Sequence, residues 1–115
     1  MRIDILTIFP KIFDSYFNES IIKIAQTKKL LELHIHDIRE YTENKHGKVD
    51  DTPYGGGPGM VMSAQPIYDC LQKIKKNNSG PVIFLTPSGE MLTQNKVKKM
   101  SKLENFILLC GRYEG

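Results

Sequence analysis

Three short apolar runs, at positions 2–9, 81–85 and 106–110, restrict what this chain can fold into. The first places Ile3, Ile5, Leu6 and Ile8 together, and the other two are apolar almost without interruption. A strand exposed on one side alternates apolar and polar residues. A strand that does not alternate needs cover on both faces, which is the habit of parallel sheets flanked by helices. The intervening stretches have helical spacing. Pro10 ends the first run and suits the first turn of a helix carrying Ile12, Phe13, Tyr16 and Phe17. Residues 20–29 set Ile21, Ile22, Ile24 and Ala25 opposite Lys23, Lys28 and Lys29, and both stretches are expected to cover the sheet. Ser63 can cap a helix bearing Ile67, Leu71 and Ile74, which closes at Lys76 before the turn residues 77–80. Thr93 opens a lysine-rich helix with Val97 and Met100 inward. Only positions 31–38 alternate, with Leu31, Leu33 and Ile35 against Glu32, His34 and His36, as in a half-exposed strand. Strand and helix patterns taking turns predict an α/β domain with a largely parallel sheet and helices on both faces.

A chain of 115 residues is one domain's worth, long enough to bury a core. It has neither a long apolar run of membrane-spanning length nor a basic-then-apolar leader, so a cytoplasmic protein away from membranes is expected. Cys70 and Cys110 are far apart and form no paired motif, which points to buried free thiols. His34 and His36 share a strand face but lack a third ligand at recognisable spacing, so they read as surface residues and no metal site is expected. The net charge of +3 is unevenly spread: positions 73–102 hold seven lysines and one acid, Glu90. That block suits either a polyanion footprint or a solvated helix face.

Four of the nine glycines, Gly55, Gly56, Gly57 and Gly59, fall within five positions, broken only by Pro58. Glycine admits positive φ and close approach of another molecule, while proline fixes φ, so the run specifies a contorted backbone rather than a loose linker. Asp50, Asp51 and Tyr54 beside it favour a binding loop over a bare turn. Met60 stands where a dinucleotide fingerprint needs its third glycine and also breaks the phosphate-loop pattern. The whole stretch 39–62 lacks periodicity, and loops of that length are usually functional or disordered. Its polar half, with Arg39, Lys45, His46, Lys48, Asp50 and Asp51, suits gripping a phosphate or moving a proton, or simply a solvated lid.

Ligands of parallel sheets bind beyond the carboxyl ends of strands. Two breaks lie there: Thr-Pro-Ser-Gly at 86–89 and Gly-Arg-Tyr-Glu-Gly at 111–115. Together they outline a polar pocket for a small molecule with amino, ribose or base-like groups.

The blocks Val-Asp-Asp-Thr-Pro-Tyr-Gly-Gly-Gly-Pro-Gly-Met at 49–60, Leu-Thr-Pro-Ser-Gly at 85–89 and Cys-Gly-Arg-Tyr-Glu-Gly at 110–115 closely resemble the bacterial tRNA (guanine-N1)-methyltransferase family. Ile-Leu-Thr-Ile-Phe-Pro at 5–10 and Ser-Ala-Gln-Pro at 63–66 agree, so the likeness runs the length of the chain. The resemblance implies the SPOUT class of methyltransferase, an α/β fold with a deep trefoil knot, working as a homodimer. It implies S-adenosylmethionine as methyl donor and, as acceptor, N1 of the guanine immediately 3′ of the anticodon in tRNA. By motif, Leu85, Thr86, Pro87, Ser88, Gly111, Tyr113, Glu114 and Gly115 are similar to cofactor-pocket positions. Tyr54, Gly55, Gly56, Gly57 and Gly59 resemble the loop that shapes the guanine site, and His46 and Asp50 are candidates for catalytic support. A magnesium requirement is compatible with the resemblance, although no ligand set is visible in the sequence.

The resemblance also implies that residues 1–115 are an amino-terminal part, ending before the knot is completed. The segment that completes the knot, a carboxyl-terminal domain, the general-base aspartate and its partnering arginine would lie in the remainder, and the fragment alone is expected to be inactive. The alternative is a non-catalytic RNA- or nucleotide-binding module. Methylation at N1 makes chemical demands of such a site: a base must take the N1 proton, and charge growing on the neighbouring oxygen must be steadied.

Overall fold

The computed structural model describes residues 1–42, 50–51, 61–62 and 64–111. Strands β1 (Arg2–Thr7), β2 (Glu32–Asp37), β5 (Val82–Leu85) and β6 (Asn105–Cys110) form one sheet, ordered β2-β1-β6-β5 and parallel throughout. A separate antiparallel pair joins β3 (Asp50–Asp51) to β4 (Val61–Met62). Helices α1 (Asp14–Phe17), α2 (Ser20–Thr27), α3 (Ala64–Ile74) and α4 (Gln94–Met100) complete the regular structure, with 3-10 turns at Pro10–Phe13 and Ile38–Tyr41.

The main core lies between the sheet and α3. Leu6 and Ile107 from the central strands meet Ile8, Ile38, Cys70 and Ile74, and Ile67, Leu71, Leu109 and Tyr41 close its margin. Ile67, Leu71 and Ile74 are the helical stripe expected from the sequence. Successive strand residues point to opposite faces, so Phe106 and Leu108 look away from α3. They meet Met100 of α4 there, in apolar cavities. Helices therefore flank the sheet on both sides.

Asp4 of β1 points into the α3 side and is wholly buried. Its carboxylate accepts hydrogen bonds from Arg2 (Nε, 2.9 Å) and Asn78 (Nδ2, 2.7 Å), and pairs with His36 Nε2 at 2.8 Å. Asn78, also buried, further donates to the Phe106 carbonyl at 2.9 Å and accepts from the Gly80 amide at 2.9 Å. One carboxylate thus ties β1 to β2, β6 and the turn before β5. Burial alone would push this carboxyl up, but the bonds from Arg2, Asn78 and His36 hold it down at about 2.

Several expectations need correcting. His36 is no ordinary surface residue, because Asp4 of the neighbouring strand holds it; His34 does face solvent, against Glu32. The stretch after Pro10 is a 3-10 turn followed by a single helical turn. Neither α1 nor α2 buries a side chain, and Ile21 is 76% exposed. Gln26 Nε2 of α2 instead donates to the Phe17 carbonyl of α1 at 2.6 Å, and Phe17 packs on Phe13 of the preceding 3-10 turn. β5, expected to be covered on both faces, is an edge strand among the described residues and leaves Val82, Phe84 and Leu85 exposed. The lysine-rich stretch is not one patch. Lys73, whose ammonium lies over the Tyr41 ring, belongs to α3, whereas Lys96, Lys98 and Lys99 belong to α4 across the sheet.

Candidate functional site

In a parallel sheet every strand delivers its chain to the same edge. β5 pairs with β6 in the register Val82 with Ile107 through Leu85 with Cys110. Residue 86 and residue 111 therefore leave adjacent strands side by side, and the two breaks read from the sequence begin at one edge.

The first break is a tight turn. The Gly89 amide donates to the Thr86 carbonyl at 3.2 Å, closing four residues with Pro87 in the second position, where its fixed φ is favourable. The Thr86 hydroxyl lies 3.1 Å from the Ser88 hydroxyl and accepts from the Ser88 amide at 3.4 Å. A Cβ at Gly89 would sit 3.1 Å from the Thr86 methyl, so a side chain there would require the threonine to shift by a few tenths of an ångström. The turn holds two hydroxyls at the mouth of a cavity of about 570 Å³. Ile83, Phe84, Leu85 and Leu108 supply its apolar strand wall, Leu92 and Met100 face them, and Thr86, Gly89, Glu90 and Lys96 form a polar rim. Lys96 pairs with Glu90, and that hydrogen bond holds the Glu90 carboxyl below its usual range. Thr93 fixes the start of α4 by accepting from the Lys96 amide at 3.3 Å.

Of the residues singled out from the sequence, Leu85 and Thr86 line this cavity, Pro87 and Ser88 shape the turn above it, and Gly111 follows the adjacent strand. Asp50 starts β3, paired with Met62. His46, Tyr54, Gly55, Gly56, Gly57, Gly59, Tyr113, Glu114 and Gly115 lie outside the described residues. Sequence reasoning missed Phe84, Glu90, Leu92 and Lys96. The one signal for Glu90 was its isolation among seven lysines.

Among the described residues no three His, Cys, Asp or Glu side chains are grouped as for a metal, and no helix is long and apolar enough to cross a membrane. Both cysteines are unpaired. Burial pushes the Cys70 thiol up to about 11 despite a hydrogen bond with Tyr41, and it raises Cys110 as well.

The family model described as tRNA (Guanine-1)-methyltransferase TrmD matches residues 1–115. The chain belongs to this family. It is 56% identical over 115 residues to a tRNA (guanine-N(1)-)-methyltransferase of Clostridium botulinum, strain Kyoto / Type A2, covering all of this chain and 48% of that protein. A protein of the same name from Clostridioides difficile, strain 630, is 52% identical over 118 residues, 51% of its length. The crystal structure of tRNA (m1G37) methyltransferase from Aquifex aeolicus superposes with a TM-score of 0.90 at 42% identity, over all of this chain and 52% of that one. The chain spans about half the length of the curated relatives it matches.

Proposed function

We propose that residues 1–115 form the amino-terminal part of a cytoplasmic, S-adenosylmethionine-dependent enzyme that methylates N1 of the guanine immediately 3′ of the anticodon in tRNA. The rest of such a protein would complete a trefoil knot and add a carboxyl-terminal domain. The observation that carries the reading is the register of Leu85 with Cys110, which sets the first motif, beside a cavity, and the start of the second at one sheet edge.

The residues present fit the cofactor. Small-molecule sites run to roughly 300–1,000 Å³ and are mostly apolar, with a few placed polar groups. Ile83, Leu85 and Leu108, with Leu92 and Met100 facing them, offer an apolar wall for a purine, while Thr86, Ser88 and Glu90 offer hydroxyls and a carboxylate for ribose and amino groups. In the proposal Leu85, Thr86, Pro87 and Ser88 hold the cofactor from one side, and Gly111, Tyr113, Glu114 and Gly115 from the other. When bound, it supplies an electrophilic methyl group. Tyr54, Gly55, Gly56, Gly57 and Gly59 shape the guanine site, and His46 and Asp50 support removal of the N1 proton, whose main acceptor belongs to the longer protein. Homodimerisation completes the proposal and would give cover to Tyr16, Ile21 and Ile24.

The test is methyl transfer by the full-length protein to tRNA from labelled S-adenosylmethionine, with and without magnesium. Label at N1 of that guanine is expected. RNA binding without label would favour the non-catalytic RNA-binding module instead.

A further inference from the structure

We propose that the groove at the carboxyl ends of β1 and β2, where Arg39 lies over Phe9 beside Lys11, holds an unpaired nucleotide of the RNA substrate. The inference rests on the function proposed above and extends it to how the RNA is gripped.

The groove encloses about 310 Å³ between Ile8, Phe9, Lys11 and Ile12 on one side and Asp37 and Arg39 on the other. Its place in the fold follows from register. Thr7 pairs with Asp37 and Leu6 with Leu109, so the segments that leave β1 and β2 emerge at the same sheet edge as Gly111. Strands lie ~4.8 Å apart, which puts the groove within one or two strand spacings of the β6 end. A nucleotide seated there belongs to the same stretch of RNA as a base reacting beyond β5 and β6.

Its chemistry is that of a stacking platform. The Arg39 guanidinium carbon stands 5.6 Å from the centroid of the Phe9 ring, itself 41% exposed. Unpaired bases stack on aromatic rings and on guanidinium planes, and their phosphates pair with Arg and Lys. Asp37 also lines the groove, but its Oδ1 is engaged, accepting from the Arg39 amide at 2.9 Å and fixing the start of the 3-10 turn. Among the described residues no carboxylate lies within salt-bridge distance of Arg39 or Lys11. Two cations and one carboxylate thus line the concave surface, and one carboxylate oxygen is held by the Arg39 amide. Simple surface packing of Arg39 on Phe9 would need no cavity, and an acidic peptide would meet the cations but not use the flat layer.

The test uses full-length protein, wild type and with Arg39→Gln, Arg39→Lys or Lys11→Gln, measuring affinity for tRNA across a salt series, affinity for S-adenosylmethionine, and thermal unfolding. Arg39→Gln is expected to weaken tRNA binding about tenfold, and Lys11→Gln to lower the log–log salt slope by about one. Arg39→Lys keeps the charge but not the plane and should still bind more weakly than wild type. Cofactor affinity and unfolding should not change. If an Arg39 variant fails to fold, the exposed Lys11 variant carries the test. Unchanged tRNA affinity and salt slope in the folded variants would overturn the inference while leaving methyl transfer by wild type intact. So would variants that bind tRNA normally but lose binding to a polyglutamate peptide. Failure of the function proposed above would show differently, as wild-type protein that does not methylate tRNA.

Discussion

Leu85 and Cys110 stand directly beside each other at the ends of adjacent parallel strands. Each is the last residue of its strand, and each is followed by a segment that carries a family motif. Positions 86 and 111 are far apart in the chain, so only the β5–β6 pairing makes them neighbours. The turn at Thr86 and the start of the second motif therefore leave the sheet side by side.

The Asp4 network should be visible as pH-dependent stability. Its carboxyl falls from 3.8 to about 2 on folding, so the stabilisation is complete above the unfolded value and is lost as pH falls through the folded one. The difference corresponds to about 2 kcal/mol. Chemical denaturation from pH 6 to pH 2 should show wild type losing that much more than Asp4→Asn between about pH 4 and 2. At pH 7 the substitution should cost about 3 kcal/mol, since Arg2 and His36 lose their common partner.

Gly80 sits against the start of β6. A Cβ there would come within 2.0 Å of the Asn105 carbonyl oxygen, a backbone atom that cannot swing aside. Gly80→Ala should destabilise by about 2–3 kcal/mol, measured by denaturant titration, because the turn must move off β6 and take Asn78 with it.

Helix α2 ends in a closing motif, with Leu30 N bonded to Ala25 O at 2.9 Å and Lys29 N to Gln26 O at 3.0 Å. The residue in the left-handed position is Lys29, at φ 61°, where glycine is usual. Lys29→Gly should raise stability by roughly 0.5–1 kcal/mol, the relieved backbone strain exceeding glycine's entropy cost.

The Cys70 thiol should not react in the folded protein at neutral pH. Cys70 is fully buried with its pKa near 11, whereas Cys110, expected to be buried too, is only partly so, although burial raises its pKa. Alkylation followed by mass spectrometry should label Cys70 only after unfolding, and fast reaction of Cys70 in native protein would contradict the burial described for it.

The layered architecture was legible because it rests on local patterns: apolar runs without alternation, a proline that stops β1, and the Ile67, Leu71 and Ile74 stripe. Strand order was not, since placing β6 between β1 and β5 depends on long-range pairing that periodicity does not encode. The Asp4–His36 pair shows the same limit, as 32 positions separate the two residues and His36, read by itself, looks like a surface histidine. The apolar face of α2 invited a core assignment, yet Ile21 and Ile24 stay exposed, because spacing shows that a face is apolar and not what covers it. At the site, Leu85 and Thr86 were readable from an apolar strand that breaks abruptly. Glu90 and Lys96 join them only because the chain after the turn folds back along the sheet.

Hydrogen–deuterium exchange on the full-length protein, with and without S-adenosylmethionine, tests the shared edge most directly. Slowed exchange is predicted together at residues 85–89 and at residue 111, the two segments that the Leu85–Cys110 register brings side by side. Saturating cofactor that leaves both segments exchanging at their free rates would contradict the account.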